Sequence, residues 1–293
     1  MKYTTIKPFI KWAGGKSQLL EEIRKKYPKH IKKYCEPFVG GGAVLLDVLA
    51  NYHPQEVLIN DINPELTNTY TQIKNNVESV ILLLSEMQEK FWAMSESERK
   101  EYYYSKRERF NVLIGQSVFS DEKAALFIFL NKTCFNGLYR VNAKGLFNVP
   151  MGSYKKPPIC DADNLRLVSG LLQTVTIKCG DYSECEGFID KETFVYIDPP
   201  YRPLNETSSF TSYAKTEFGD EQQIQLGRFI ETISVKGAMV VASNSDPKNT
   251  DETDNFFDEI YKNFLIKRVS ATRMINSKSS GRGTINELLI CNF

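Results

Sequence analysis

The sequence predicts an α/β fold, mostly parallel in its sheet and closing on a C-terminal antiparallel hairpin, and three observations predict it. At 33–49, "KYCEPFVGGGAVLLDVL", a short apolar run passes through three glycines into a helical pattern. Apolar runs of strand length then alternate with helical periods through most of the chain, the rhythm that builds parallel sheets. The last two runs, 264–272 and 285–292, flank only the loop "MINSKSSGRGT"; successive strands joined by a loop alone run antiparallel if they pair.

The elements follow in order. After the first strand, glycine turn and helix, "EVLINDIN" (56–63) reads as a second strand ending in a polar cluster. From Leu66, the residues Tyr70, Ile73, Val77, Ile81, Leu84 and Phe91 recur at three- and four-residue steps, which predicts a long amphipathic helix. Ser120 is placed to cap another helix, with Asp121 and Glu122 favourable in its first turn and "AALFIFLN" behind them. Residues 133–160, "TCFNGLYRVNAKGLFNVPMGSYKKPPIC", then lose any sustained period and are rich in Asn, Gly, Pro, Tyr and Lys. Such a stretch inside a compact chain is more often functional than idle. The rhythm resumes with strands at 174–179 and into Asp198, a helix near 220–234, the strand "AMVVASN" (238–244) and a helix near 253–263.

The 293 residues, 42% of them hydrophobic, suffice for a buried core. No apolar leader follows Met1 and no run approaches membrane-spanning length, so a cytoplasmic, non-membrane protein is expected. The six cysteines show no C-x-x-C pair, and with His30 and His53 the only histidines, reduced thiols and no metal site are expected. The net charge of +1 hides an uneven distribution. Residues 1–34 hold ten Lys or Arg against Glu21 and Glu22, 131–160 hold five basic residues and no acid, and 261–286 hold six and none. These segments either converge on one phosphate-binding face or scatter as solvated lysines, and charge alone does not choose.

Two motifs carry chemistry. Gly40, Gly41 and Gly42 lie between strand and helix, where missing side chains let a ligand approach the backbone, and Asp61 ends the next strand, where an acid meets ribose hydroxyls. A dinucleotide fingerprint wants a third glycine where Leu45 stands, so the turn suits an adenosine ligand better than NAD; it also reads as a tight packing turn. In "FVYIDPPYRP" (194–203) an apolar strand ends on Asp198, followed by two prolines and Tyr201. Prolines lack N–H donors and fix the backbone, so Asp198 and the carbonyl of Pro199 are set to hold a planar amino group while Tyr201 stacks on its ring. An exocyclic nucleobase amine fits. Two acceptors that draw its hydrogens out of plane localise its lone pair for attack, with no general base of perturbed pKa. The alternative is a rigid loop whose Asp caps a helix.

"FIKWAGGKSQLL" (9–20), "FVGGG" (38–42), "FNGLYRVN" (135–142), "FNVPMGSY" (147–154), "DPPYRPL" (198–204) and "SSFTSY" (208–213), in this order along almost the whole chain, resemble the Dam-like DNA adenine-N6 methyltransferases that act on GATC. The resemblance implies S-adenosylmethionine as methyl donor, double-stranded DNA as partner, and a Rossmann-like seven-stranded methyltransferase sheet formed by 1–64 and 172–293. It also implies an inserted, mainly helical DNA-recognition domain at 65–171. By matching motif, Trp12, Lys16, Phe38, Gly40, Gly42, Asp61, Asp181 and Asp198 would line the cofactor pocket. Asp198, Pro199 and Tyr201 would hold an adenine flipped from the duplex. Lys11, Asn136, Leu138 and Arg140 match positions that read bases, and Tyr154 one that stacks into the gap. Ser153 departs from the pattern, which often has a basic residue there. A cognate restriction endonuclease is compatible as a functional partner. The loop 276–284 reads either as a flexible tip or as a DNA- or substrate-facing loop.

Rival readings are an RNA or protein-amide methyltransferase with the same Pro-Pro-Tyr logic, a catalytically silent DNA-binding module and, more distantly, a NAD oxidoreductase. The 133–160 segment argues against the first, the intact Asp198-Pro199-Pro200-Tyr201 against the second, and Leu45 against the third.

Overall fold

The computed structural model describes residues 6–202, 218–272 and 284–293. The "SSFTSY" motif and nearly all of the 276–284 loop lie outside them. The sheet has seven strands: β1 (Lys33–Glu36), β2 (Glu56–Asp61), β3 (Val175–Cys179), β4 (Thr193–Ile197), β5 (Met239–Ser245), β6 (Leu265–Thr272) and β7 (Thr284–Cys291). Their spatial order is β3-β2-β1-β4-β5-β7-β6. The first five are parallel, and β7 slots antiparallel between β5 and β6, so the expected hairpin is present.

Period-two alternation in the strands builds a core on each face. Tyr34, Val57, Ile59, Phe194, Tyr196, Val241 and Leu289 join one buried cluster; Cys35, Leu58, Val195, Ile197, Val240, Ala242, Leu288 and Ile290 join the other. On the second face packs α7 (Asp220–Val235) through Leu226, Phe229, Ile230 and Ile233, with the short helix α8 (Phe256–Ile260) adding Phe257. On the first lie α2 (Ala43–Tyr52), α3 (Pro64–Ala93), α5 (Asp121–Thr133) and α6 (Ala162–Leu172). A short α1 (Leu20–Arg24) precedes the sheet. The core of the first face continues without a break from the sheet into α3 and α5.

The long helix predicted from Leu66 is α3. Asn63 caps it, its Oδ1 accepting from the Glu65 and Leu66 amides at 3.0 and 3.1 Å, with Pro64 at the first helical position. It breaks at Asn76 (φ −136°, ψ 36°), which the apolar period does not foretell. Ser120 caps α5 as expected, accepting from the Lys123 amide. Three helices are additions to the sequence reading, the short α1 and two longer ones. Helix α4 (Glu96–Gly115), started by a Ser95/Glu98 capping box, buries only Tyr103, Phe110 and Leu113, and α6 begins at an Asp161 cap.

The 133–160 segment is an irregular hairpin folded over α5. Isolated bridges pair Cys134 with Met151 and Val141 with Phe147, and the Asn142 amide donates to the Leu146 carbonyl at 2.9 Å to close the tip.

Candidate active site and nucleic-acid interface

The predicted cofactor residues gather at the carboxyl ends of β1, β2, β3 and β4. Chain connections leave β1 toward β2 on one side, and β4 lies on the other, so this is the point where strand order reverses and open α/β sheets bind ligands. The buried Asn60 ties three strand ends together, its Nδ2 donating to the carbonyls of Pro37 (3.1 Å) and Gly180 (2.9 Å). Asp61 accepts the Gly40 amide on Oδ2 and the Asn63 amide on Oδ1, each at 3.0 Å, so it also fixes the glycine turn and the entry to α3. Burial pushes its carboxyl up to about 6, against the pull of these backbone donors.

Gly42 sits in left-handed backbone at φ 70°, and a Cβ there would collide with the Tyr70 hydroxyl, which donates to the Gly40 carbonyl at 3.0 Å. Gly42→Val is therefore expected to lower thermal stability by roughly 1–3 kcal/mol, because strained backbone and overpacking add; a melting temperature equal to the wild type's would remove the packing argument. Trp12 lies against the turn, with the position of a Gly40 Cβ only 2.8 Å from its Cδ1, and stacks on Tyr139 at 6.0 Å between centroids. It thus joins the glycine turn to the hairpin. Phe38 stacks on Tyr182 (5.2 Å) beside Asp181, which is exposed and caps a short 3-10 turn through the Ser183 amide.

Asp198 follows β4 on the same face as Tyr196. Its Oδ1 receives both the Ser243 hydroxyl (2.9 Å) and the Lys16 ammonium (2.9 Å). Its Oδ2 receives no hydrogen bond among the described residues. Tyr196 hydroxyl lies 2.9 Å from Ser243 Oγ and completes the chain. Burial pushes the Asp198 carboxyl up, while Lys16 and then Ser243 hold it down. Lys16 is buried in the wall of the site rather than open to a ligand: its Nζ donates to the Gly14 carbonyl (2.5 Å), sits 4.8 Å from the centroid of the Tyr201 ring and lies 3.9 Å from Glu287. The Tyr201 hydroxyl donates to Glu287 Oε2 at 2.6 Å.

The buried Gln223 of α7 bridges Asn244 and Pro200, accepting from Asn244 Nδ2 at 3.0 Å and donating to the Pro200 carbonyl at 2.9 Å. The carbonyl engaged here is thus that of the second proline. The Pro199 carbonyl, like Asp198 Oδ2, accepts nothing among the described residues. Arg202 anchors the end of the motif through Asp220 (2.6 Å) and Asp254 (2.6 Å).

The residues matched to base reading form a second cluster. Buried Asn131 accepts the Lys11 amide (2.8 Å) and donates to the carbonyls of Lys11 (2.8 Å) and Gly137 (2.9 Å), binding the N-terminal segment to the hairpin. Lys11 Nζ donates to the Tyr154 hydroxyl at 3.2 Å and lies over its ring, while Gly137 at φ 65° leaves no room for a Cβ beside Lys11. Asn136 is exposed in left-handed backbone (φ 55°), and Leu138 is half-buried behind it. Arg140 donates through Nε to Asn148 Oδ1 at 2.8 Å, and its two Nη groups make no hydrogen bond among the described residues. Ser153, Lys155 and Lys156 are exposed alongside.

Glu287, Ser243 and Gln223 were not singled out from the sequence, and Tyr70 only as an apolar position of the long helix. Glu287 did leave a signal, the lone acid after Glu259, set in the apolar run "INELLI". Among the described residues there is no cluster of metal-ligating side chains, no helix long and apolar enough to cross a membrane, and each cysteine is a free thiol.

Residues 12–275 match the family described as D12 class N6 adenine-specific DNA methyltransferase. Similar curated proteins include "Type II methyltransferase M.MjaIII" of Methanocaldococcus jannaschii, 50% identical over 98% of this chain and 99% of its own length. "DNA adenine methylase" of Haemophilus influenzae is 38% identical (97% and 92% covered), and the Escherichia coli protein of that name 34% (96% and 93%). With the family's match covering most of the chain, including Asp198, Tyr201 and Arg140, the chain belongs to the D12 class of N6 adenine-specific DNA methyltransferases.

Proposed function

We propose that this enzyme transfers the methyl group of S-adenosylmethionine to N6 of an adenine flipped out of duplex DNA, within GATC, in the cytoplasm. The observation that carries the reading is the pair of acceptors that follow β4, Asp198 Oδ2 and the Pro199 carbonyl, which take no hydrogen bond among the described residues and stand in the same short motif as Tyr201. A flipped adenine presents two N6 hydrogens and a flat ring, groups that two such acceptors and an aromatic ring can receive. Holding both hydrogens localises the nitrogen lone pair. As the N–C bond forms, N6 becomes cationic; the Asp198 carboxylate, whose charged form Lys16 favours against burial, stabilises that charge, and N6 then loses its proton to solvent.

The donor's site passes a chemical test: Asp61 offers a carboxylate, the glycine turn offers backbone without side chains, and Phe38 with Tyr182 offers aromatic surface at one strand edge. S-Adenosylmethionine supplies an electrophilic methyl carbon on a sulfonium, which departs as a neutral thioether. We assign Asp61 to the ribose hydroxyls, Asp181 and Phe38 to the adenine side, and Trp12, Lys16, Gly40 and Gly42 to the walls. Segment 65–171 is the target-recognition part, its Asn136, Leu138 and Arg140 reading bases together with Lys11 of the N-terminal segment, and its Tyr154 stacking. The type II name of one relative supports a cognate restriction endonuclease as a functional partner.

Asp61 gives a pH test. Its carboxylate must accept from hydroxyls in addition to two amides, and protonation removes acceptor capacity. With its carboxyl near 6 in the free protein, S-adenosylmethionine affinity should fall as pH drops from 7.5 to 5.5, by up to about tenfold per unit below that value. Asp61→Asn should bind more weakly, by about 1–3 kcal/mol, and with a flat profile. Calorimetric titration checks both, and a pH-independent wild-type affinity would refute the ribose assignment. For the reaction, labelled S-adenosylmethionine offered to GATC duplex, altered duplex and RNA should mark only the first strongly.

A further inference from the structure

We propose that Glu287 is a positioning residue for methyl transfer, fixing the pose of the Tyr201 ring on which the target base stacks. The inference rests on the reading of the site as a flipped-adenine pocket. Because β7 runs antiparallel, its early residues lie at the carboxyl edge of the parallel strands, and strand alternation puts Glu287 on the same face as Leu289 and Val241. It therefore reaches the site from the C-terminal hairpin, far in sequence from the motif it serves. A tyrosine ring is hinged at Cβ and sweeps an arc; here the hydroxyl at the far end is bonded to Glu287 Oε2 at 2.6 Å, so the ring is held at both ends. Lys16 Nζ lies over the ring, 4.8 Å from its centroid, and 3.9 Å from the same Glu287 oxygen. The lysine thus lies over one face of the ring, and the functional reading above assigns the other face to the base. Glu287 is only 15% exposed, so in place it has few partners other than these two. A nearly buried carboxylate that receives the phenol fits a ring that must stay put between turnovers: a phenol free in water would need no such partner.

The test compares Glu287→Gln, Glu287→Ala, Tyr201→Phe and the Tyr201→Phe/Glu287→Ala pair with the wild-type chain, using a GATC duplex and, separately, the same duplex with 2-aminopurine at the target adenine. Glutamine keeps an acceptor for the phenol and should stay within about threefold of wild type in single-turnover rate. Alanine should cost roughly 10- to 100-fold, the scale of a hydrogen bond to a charged group, with KM for both substrates changed little. Tyr201→Phe should cost a similar factor, and the pair no more than the worse single, because both remove one contact. Binding without turnover gives the independent readout. 2-Aminopurine stacked on the held ring is quenched, so Glu287→Ala should fluoresce more brightly than wild type at saturating enzyme, and Glu287→Gln should match wild type. Multiplying single effects in the pair, or glutamine as damaging as alanine, would overturn the proposal. So would unchanged fluorescence and rate in Glu287→Ala. If the wild type places no methyl group on adenine N6 in this assay, the functional reading fails first; if it does and the variants disobey, only the role of Glu287 falls.

Discussion

Asp198→Asn is expected to remove methyl transfer as completely as Asp198→Ala, by about 100- to 1000-fold or more in single-turnover rate, the scale seen when a preorganised electrostatic partner of a transition state is lost. The argument is in the two oxygens. Oδ1 is fixed as an acceptor by two donors, Lys16 and Ser243. An asparagine must turn its carbonyl oxygen to them, which puts its NH2 where Oδ2 was. A donor then faces the donor amine of adenine. The near-isosteric change is thus no gentler than truncation. Folding should survive both, since Lys16 retains the Gly14 carbonyl and has Glu287 within 3.9 Å. Single-turnover kinetics with unfolding curves on the same samples decide the matter, and a rate for Asp198→Asn within tenfold of wild type would contradict it.

Arg140→Ala should collapse sequence preference. Arginine can give two parallel hydrogen bonds to the major-groove edge of guanine, worth roughly 1–3 kcal/mol of discrimination that a point charge does not reproduce. Nε is committed to Asn148, and both Nη groups keep their donors unengaged among the described residues. If it reads the guanine paired with the last base of GATC, the mutant should lose far more activity on GATC than on duplexes altered at that one pair. Lys155→Ala and Lys156→Ala, exposed beside the hairpin, should instead weaken all sequences equally and reduce the salt slope by about 1 each. Uniform loss in Arg140→Ala, with the preference between sites kept, would make it a phosphate clamp.

Where burial imposes a period, the chain announces its structure. The parallel strands, the C-terminal hairpin and helices α3 and α5 follow from apolar spacing and from the cap Ser120, which acts within a few residues, whereas the Asn63 cap of α3 reads in the sequence as the end of a strand. Helix α4 escaped because three buried residues in twenty leave no period to read, and the break at Asn76 because kinks need not disturb one. The site divides in the same way. Asp198, Tyr201, Asp61 and the glycine turn stand in compact motifs whose chemistry is local. Ser243 and Glu287 reach the same centre across separations of 45 and 86 residues, and only strand order brings them there. The charge segments read correctly as uneven but not as placed: Lys11 meets Tyr154 in the hairpin, whereas Arg268 is spent on Asp246 and Asp258.

The most direct test of the central claim identifies the product. GATC duplex incubated with the wild-type chain and S-adenosylmethionine carrying a labelled methyl group is digested to nucleosides and separated by mass, with Asp198→Asn run in parallel. The account predicts label in N6-methyladenine, at the adenine of GATC on each strand, and none above background from the mutant. Label in RNA but not duplex DNA, label on another base, or comparable N6-methyladenine from Asp198→Asn would contradict it.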